Sequence, residues 1–474
     1  MKYQTQIVVA GGGAAGLSAA VAAAEKGASV IVVESNAAIG GNGFFPRGVF
    51  AVDSPVQRRK LIFADADKIF MDCMNYSHWK LDARIIRTLI DKSGNTIEWL
   101  EKKGVAFTDV VHHIPNQTPE VFHITDSSLN AGKAVINAFR DYCDKAGVTI
   151  LTNTRAKKLL LSENGIDGLL CENKSGEEIV IHADKTIIST GGFAGNSELI
   201  SKFYPNVDLS LITKGGGMKH NGDGLIMAVE AGADIEEHFA MEMAAPKIKG
   251  HAPLNLLIGK PQNLWVNCFG RRFANEGIVY DFTKSANACL RQPKADVWVV
   301  FDSAIKQATL ADGRDIIELI HIPPNAEENL EQGIADAQKD GTLKVSDSIE
   351  EIAEFIGCES TALTETIHEY NSCCEHSRDG IFAKEVRYLK ALNSPPYYAV
   401  KAGVDMLITH GGIRVNEAFE ALNADQQVLH NLYVAGVDFG GADADIYNMS
   451  MSGHGFGFAI NSGRIAGENA AKAL

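Results

Sequence analysis

The sequence has no apolar run approaching the roughly 18 residues of a membrane span, and it has no surplus of positive charge. Lys and Arg number 44 against 59 Asp and Glu, a formal charge of −15, so neither nucleic acid nor an anionic membrane is an expected partner. Its eight cysteines, Cys73, Cys143, Cys171, Cys268, Cys289, Cys358, Cys373 and Cys374, form no C-x-x-C pair, haem-attachment signature or zinc spacing. The His112-His113 pair with His123 is no usual ligand set either. Reduced thiols, no bound metal and a cytoplasmic chain are expected, since the first strand begins by residue 6 and leaves no room for a secretory signal. Internal repeats and low-complexity tracts are also missing.

At 474 residues, 46% of them hydrophobic, the chain is long enough for two or more cores. It opens on Gln6-Ile-Val-Val-Ala-Gly11-x-Gly13-x-x-Gly16, an Ala-rich helix, and a second apolar strand Ser29 to Val33 ending on Glu34. This is a dinucleotide-binding βαβ pattern. Gly11 permits the turn, Gly13 clears the approach of a pyrophosphate to backbone amides, and Gly16 lets helix and sheet close up. Glu34 suits a ribose hydroxyl, hence FAD or NAD, and would repel the 2′-phosphate of NADP.

Helical periodicity follows from Arg58 to Tyr76, Asp82 to Lys103 and Asn130 to Ala146. The stretch from Val105 to Asp126, with two prolines, reads as a loop. A β meander from Val148 to Ala183 leads into Thr186-Ile-Ile-Ser-Thr-Gly191-Gly192, a buried strand expected to rejoin the first sheet. Gly222-Asp223-Gly224 opens another helix. From Glu242 to Pro396 short aromatic strands alternate with charged helices, including Asp315 to Leu319, and this segment reads as an inserted domain. The sequence therefore divides into a discontinuous nucleotide domain, 1–241 and 397–474, and an insertion, 242–396. Glycine turns return at Gly436 and at Ser452-Gly453-His454-Gly455, ahead of a terminal helix.

These motifs, with Gly40-Gly41-Asn42, Gly270-Arg-Arg-Phe-Ala-Asn-Glu276, Thr409-His410-Gly411-Gly412 and Ser462-Gly-Arg-Ile-Ala-Gly467, give the whole chain its likeness to a known group. It resembles the FAD-dependent fumarate reductase and succinate dehydrogenase flavoprotein superfamily, in particular the soluble branch with urocanate reductases and 3-ketosteroid dehydrogenases. The resemblance implies an α/β architecture, a Rossmann-like FAD-binding domain with an inserted α+β capping domain. It implies non-covalently held FAD, with Gly11, Gly13, Ala15, Gly16 and Glu34 at the ADP part and backbone near Ala156 at the adenine. Gly41, Asn42, Gly43, Thr190, Gly191 and Asp223 would line the pyrophosphate and flavin approach, and Gly436 and Asp438 the ribitol. Ser452, Gly453, His454 and Gly455 would set amides near the flavin N1 and C2 oxygen.

The chain also departs from that family. The proton-donating arginine of the dicarboxylate reductases aligns with Tyr280, and their carboxylate-binding arginine with Ser450. Two histidines that help grip the dicarboxylate align with Ile408 and Ala245. Fumarate and succinate are therefore not the expected substrates. The residues point to reduction of an activated C=C bond in a nonpolar, aromatic or polycyclic carbonyl compound, with Tyr280 as proton donor and His410 and Tyr447 facing the carbonyl or flavin. The reverse chemistry, a ketosteroid-type dehydrogenase, is the second reading; a non-catalytic electron-transfer subunit is the third. No fused haem, iron-sulfur or FMN module is visible, so NADH, a reduced flavin or a redox protein would exchange the electrons.

Overall fold

The computed structural model describes residues 1–114, 119–125, 130–214, 220–314, 322 and 325–474. The chain forms two compact units: Met1–Val207 with Gly216–Glu242 and Ile408–Leu474, and Asp208–Gly215 with Met243–Leu407.

The first unit is built on a sheet ordered β16 (Glu420–Leu422), β17 (Val428–Val434), β9 (Glu178–Ile188), β1 (Lys2–Ala10), β2 (Val30–Val33), β6 (Thr149–Leu151). It is parallel from β17 to β6. Parallel strands covered on both faces need apolar residues without alternation, and Ile7 to Ala10 are accordingly 0% exposed. The return of β9 beside β1 is as expected. The meander is also present, as β7 (Thr154–Ser162) and β8 (Gly165–Asn173) running antiparallel into β9. Helix Ala14–Ala24 packs against the terminal helix His454–Lys472. Small residues permit that approach, because a Cβ on Gly463 or Gly467 would collide with the carbonyl of Ala15 or Ala19.

Two local expectations need correction. Residues 58–76 are not one helix but two, Pro55–Arg59 and Ala66–Tyr76. Leu61 at φ 58 breaks the first, and Asp65 starts the second by accepting from the Asp67 and Lys68 amides. The stretch taken as a loop contains β4 (Phe107–Val111) and β5 (Phe122–Thr125), which form a sheet with β3 (Gly48–Phe50). All four residues of β5 are buried, so packing overrides the prolines nearby. The remaining helices lie where periodicity put them, Ala83–Glu101 capped by Asp82 and Ala131–Ala146 capped by Asn130. The helix expected at 315–319 lies outside the described residues.

The second unit has a six-stranded sheet: β10 (Ile212–Lys214), β15 (Tyr397–His410), β13 (Val297–Asp302) and β12 (Leu264–Asn267), with β11 (Ala240–Lys247) and β14 (Leu343–Ser346) also on β15. Phe301 and Tyr398 stack at 4.9 Å in its core. A buried ionic cluster fixes the 272–276 turn. Arg272 donates to both oxygens of Glu276 at 2.9 and 2.8 Å and to Asp379 at 2.8 Å. The Lys384 ammonium lies 3.2 Å from Glu276 and donates to the Asn263 carbonyl at 2.9 Å. Two cations thus meet two anions, as burial of charge requires.

Candidate active site

The first glycine turn follows from the ends of β1 and β2. The Gly11 amide donates to the Val33 carbonyl at 2.8 Å, and the Gly12 amide to Glu34 Oε2 at 2.9 Å. Glu34 Oε1 accepts from the Asn36 amide and side chain, both at 2.8 Å. The acid at the end of β2 therefore shapes the turn itself, as well as standing where a ribose is expected. Gly11 has φ 107, and a Cβ on Gly16 would run into the Gly11 carbonyl. A Cβ on Gly13, by contrast, would meet nothing within 4 Å, and one on Gly41 only the Gly13 Cα at 4.0 Å. Gly13 caps helix Ala14–Ala24 without any side-chain hydrogen bond, and the first turn carries no acid. Open space, bare helix amides and the buried, unpartnered Oδ1 of Asn42 suit the phosphates and polar edge of a dinucleotide.

The neighbouring predicted residues gather around the same turn. Ala15 is met by Gly436, whose Cβ would come 2.9 Å from the Ala15 Cβ. Gly43 lies against Ala14. Ala156 follows Thr154 by two residues on β7, and the Thr154 amide donates to the Glu34 carbonyl at 2.8 Å. Asp438 is 1% exposed, and its carboxylate accepts from the amides of Thr190, Gly191 and Gly192, the last two at 3.1 Å. Burial raises its pKa, and those hydrogen bonds hold the rise back. Asp438 thus ties the end of β17 to the loop after β9. Both carboxylate oxygens of Asp223 accept from one edge of the Arg155 guanidinium, Nε at 2.7 Å and Nη2 at 2.6 Å, a partner the sequence did not suggest.

The last glycine turn carries a buried polar cluster. His410 Nδ1 lies 3.2 Å from Asp443 Oδ2, and Nε2 lies 3.4 Å from Glu242 Oε2. Burial alone would depress the imidazole pKa, but the two acids outweigh it and push it up to about 9. His454 Nε2 reaches Asp443 Oδ1 at 3.0 Å, while Nδ1 donates to the Met451 carbonyl at 3.0 Å. Burial would raise Asp443, but His454 and His410 hold it well below the usual carboxylate range. Tyr447 stacks on His454 with ring centroids 4.3 Å apart and lies 4.8 Å from His410. Burial, with the charges of Glu242 and Asp443, lifts its phenol well above the ordinary value, which keeps it a neutral donor. Gly455 closes the group, since a Cβ there would sit 3.0 Å from the Tyr447 hydroxyl. A small cavity, ≈ 20 Å³ and lined by His410, Gly436, Asp443, His454 and Gly455 among others, adjoins it. Ser452 is 2% exposed, its hydroxyl on the Met449 carbonyl, and Gly453 at φ 81 starts the terminal helix.

Glu242 and Asp443 are the functional candidates that sequence reasoning left out. Each is an acid in an apolar setting, Met241-Glu242-Met243 and Ala442-Asp443-Ala444, which is the signal that could have found them. Tyr280 belongs to the other unit. It ends a 3₁₀ turn Glu276–Tyr280, is 8% exposed, and its ring lies 6.3 Å from that of Tyr388.

A parallel sheet whose glycine turns converge beyond its carboxyl ends defines a dinucleotide-binding oxidoreductase fold. The chain belongs to the FAD binding domain family, which matches residues 6–449. It is 31% identical over 456 residues to the vinyl phenol reductase of Lactiplantibacillus plantarum, covering 93% of this chain and 91% of that one. It is 28% identical over 443 residues to a fumarate reductase (cytochrome) of Shewanella frigidimarina, covering 93% and 72%. The crystal structure of a 3-ketosteroid-Δ4-(5α)-dehydrogenase from Rhodococcus jostii shares the fold, with TM-score 0.78 and 21% identity over 99% of this chain and 97% of that one. The protein is an FAD-dependent oxidoreductase acting on C=C or CH–CH bonds. No helix among the described residues is long and apolar enough to cross a membrane.

Proposed function

We propose that this enzyme reduces the conjugated C=C bond of an aromatic or otherwise nonpolar carbonyl compound, and that dicarboxylates are excluded. The observation that carries this is the charge of the His410 cluster. Its two imidazoles already face carboxylates, His410 those of Asp443 at 3.2 Å and Glu242 at 3.4 Å and His454 that of Asp443 at 3.0 Å, so no positive charge is left over for a dicarboxylate. Tyr280 in place of the family's donor arginine, and the similarity to a vinyl phenol reductase, support the same reading.

FAD, when bound, supplies hydride chemistry at its N5. Gly11, Gly13, Ala15, Gly16, Gly41, Asn42 and Gly43 would hold its phosphates and ribose with Glu34, and Ala156 would meet the adenine. Thr190 and Gly191, bonded to Asp438, would line the middle of the cofactor together with Asp223, Gly436 and Asp438 itself, and Ser452 to Gly455 the flavin edge. Residues 242–396 act as the capping domain. Within the cluster, Tyr447 donates to a substrate carbonyl and His410⁺ stabilises the charge that grows there. Tyr280 delivers the proton to the adjacent carbon. The flavin is held non-covalently, and a separate donor such as NADH, a reduced flavin or a redox protein supplies the electrons to a cytoplasmic enzyme.

Tyr280→Phe tests the proton donor. Its turnover number is expected to fall by about 10²-fold or more, the usual value of a positioned acid, while flavin content and substrate dissociation constant stay near wild type. A variant that turns over as fast as wild type removes Tyr280 from the mechanism.

A further inference from the structure

The loop after β9 faces the glycine turns of the first unit, yet its backbone has no donor to offer a cofactor. The Ser189 amide donates to the Ala10 carbonyl at 2.8 Å, those of Thr190, Gly191 and Gly192 to Asp438, and that of Phe193 to the Thr409 hydroxyl at 3.0 Å. A polar contact from this side must come from a side chain. The structure places one there, His220, which neither the glycine motifs nor the histidine cluster around Asp443 uses.

Main-chain bonds hold residues 220–222 along that loop. The His220 carbonyl accepts from the Gly195 amide at 2.6 Å, and the Gly222 amide donates to the Gly192 carbonyl at 3.0 Å. The imidazole lies directly on Gly191, where an added Cβ would come 3.0 Å from Nε2 and 3.2 Å from Cδ2. Gly191, at φ 95, therefore has two reasons to be glycine. The ring is half-buried, and among the described residues neither of its nitrogens makes a hydrogen bond. Of the charged groups on the neighbouring elements, Asp438 is held by the loop amides and Asp223 by Arg155. Glu34, at the end of β2, is the one whose charge acts on the imidazole; burial lowers the His220 pKa and Glu34 opposes this in part. All these residues belong to the first unit.

The order of groups along a flavin dinucleotide then identifies what the imidazole meets. Glu34 stands at the ribose and Gly191 with Asp438 at the middle of the cofactor, and the diphosphate joins the two. The Gly11 to Gly16 turn brings amides to that diphosphate but no charged side chain. We propose that His220 is a further cofactor-binding residue, donating from Nε2 to the diphosphate of FAD. This rests on the reading that FAD lies along the glycine turns. Bound diphosphate favours the imidazolium over the imidazole, so FAD is held most tightly at low pH and less tightly as pH rises through the titration of His220 in the loaded enzyme.

The test follows release of FAD from the purified holoenzyme, by the gain of free-flavin fluorescence on dilution, with no substrate present. Wild type is expected to hold FAD less tightly as pH is raised from about 6 to about 8. His220→Leu should weaken FAD about ten- to hundredfold, the worth of one hydrogen bond to a charged group, with an unchanged far-ultraviolet circular dichroism spectrum and no such pH dependence. His220→Gln, which keeps a neutral donor, should hold FAD better than His220→Leu and also lack the pH dependence. Wild-type affinity in His220→Leu, a wild-type pH profile in His220→Gln, or a wild-type enzyme whose FAD affinity does not change with pH overturns the proposal. Gly13→Leu separates this from the underlying reading, because it fills the space beside the turn without touching His220. If Gly13→Leu loses FAD while His220→Leu keeps it, the cofactor path stands and the role of His220 falls; if Gly13→Leu keeps wild-type affinity, the path is wrong and the proposal falls with it.

Discussion

Replacing Asp443 by Asn should reverse the protonation of His410, and the structure gives the size of the effect. In wild type, burial works against the imidazolium and Asp443 with Glu242 overcomes it, raising the pKa from 6.5 to about 9. That gap corresponds to about 3 kcal/mol of differential stabilisation at ~1.36 kcal/mol per pKa unit. Because the folded value is raised, this stability is fully present below the unfolded pKa of 6.5 and is lost as pH rises through about 9. Asp443→Asn removes the larger of the two opposing partners, leaving burial and one acid at 3.4 Å. The folded pKa should then fall to the unfolded value or below it, and the decline in stability between pH 6.5 and 9 should vanish. Urea unfolding of the FAD-loaded protein across that range, with ¹³C-labelled histidine NMR to read His410 directly, checks both statements. A wild-type His410 that titrates at or below 6.5, or a variant that keeps the wild-type slope, would refute the reasoning.

Gly16→Val should abolish cofactor loading, because the new Cβ would collide with the Gly11 carbonyl and come 2.6 Å from the Ser189 hydroxyl; the flavin-to-protein absorbance ratio of the purified protein reads this, and full loading would contradict it. Glu276→Gln strips the anion from between Arg272 and Lys384, side chains 3% and 0% exposed. Its expected cost is about 3 to 5 kcal/mol in urea unfolding, and a loss under about 1 kcal/mol would show that the turn does not depend on the charge pairing.

Much of the fold could be read from the sequence because its signals are local. The run from Gln6 to Glu34 contains a complete strand, turn, helix and strand, and Asp82, Asn130 and Gly147 mark helix ends by capping chemistry. The strands β4 and β5 could not be read, since β5 forms against β3, 72 to 76 residues earlier in the paired register, and β4 forms against β5. The same holds for the site. Gly11 to Gly16 declare themselves by spacing, whereas the partners of His410 come from Glu242 and Asp443, which lie 168 and 33 positions away in sequence. Asp438 was read as a ribitol contact, and its bonds to the loop after β9 were not foreseen, because the three amide donors sit nearly 250 residues earlier. Periodicity and motif spacing carry no information about contacts of that range.

The central claim, reduction of an aromatic conjugated C=C bond and not of a dicarboxylate, is tested most directly by following the flavin absorbance of the anaerobically reduced enzyme on mixing with 4-phenylbut-3-en-2-one or cinnamate, and in parallel with fumarate. The account predicts return of the oxidised flavin bands with one of the aromatic compounds, one equivalent of saturated product per flavin, and no change with fumarate. Reoxidation by fumarate, or a flavin that stays reduced with both aromatic compounds while the oxidised enzyme is bleached by a saturated ketone, would contradict it.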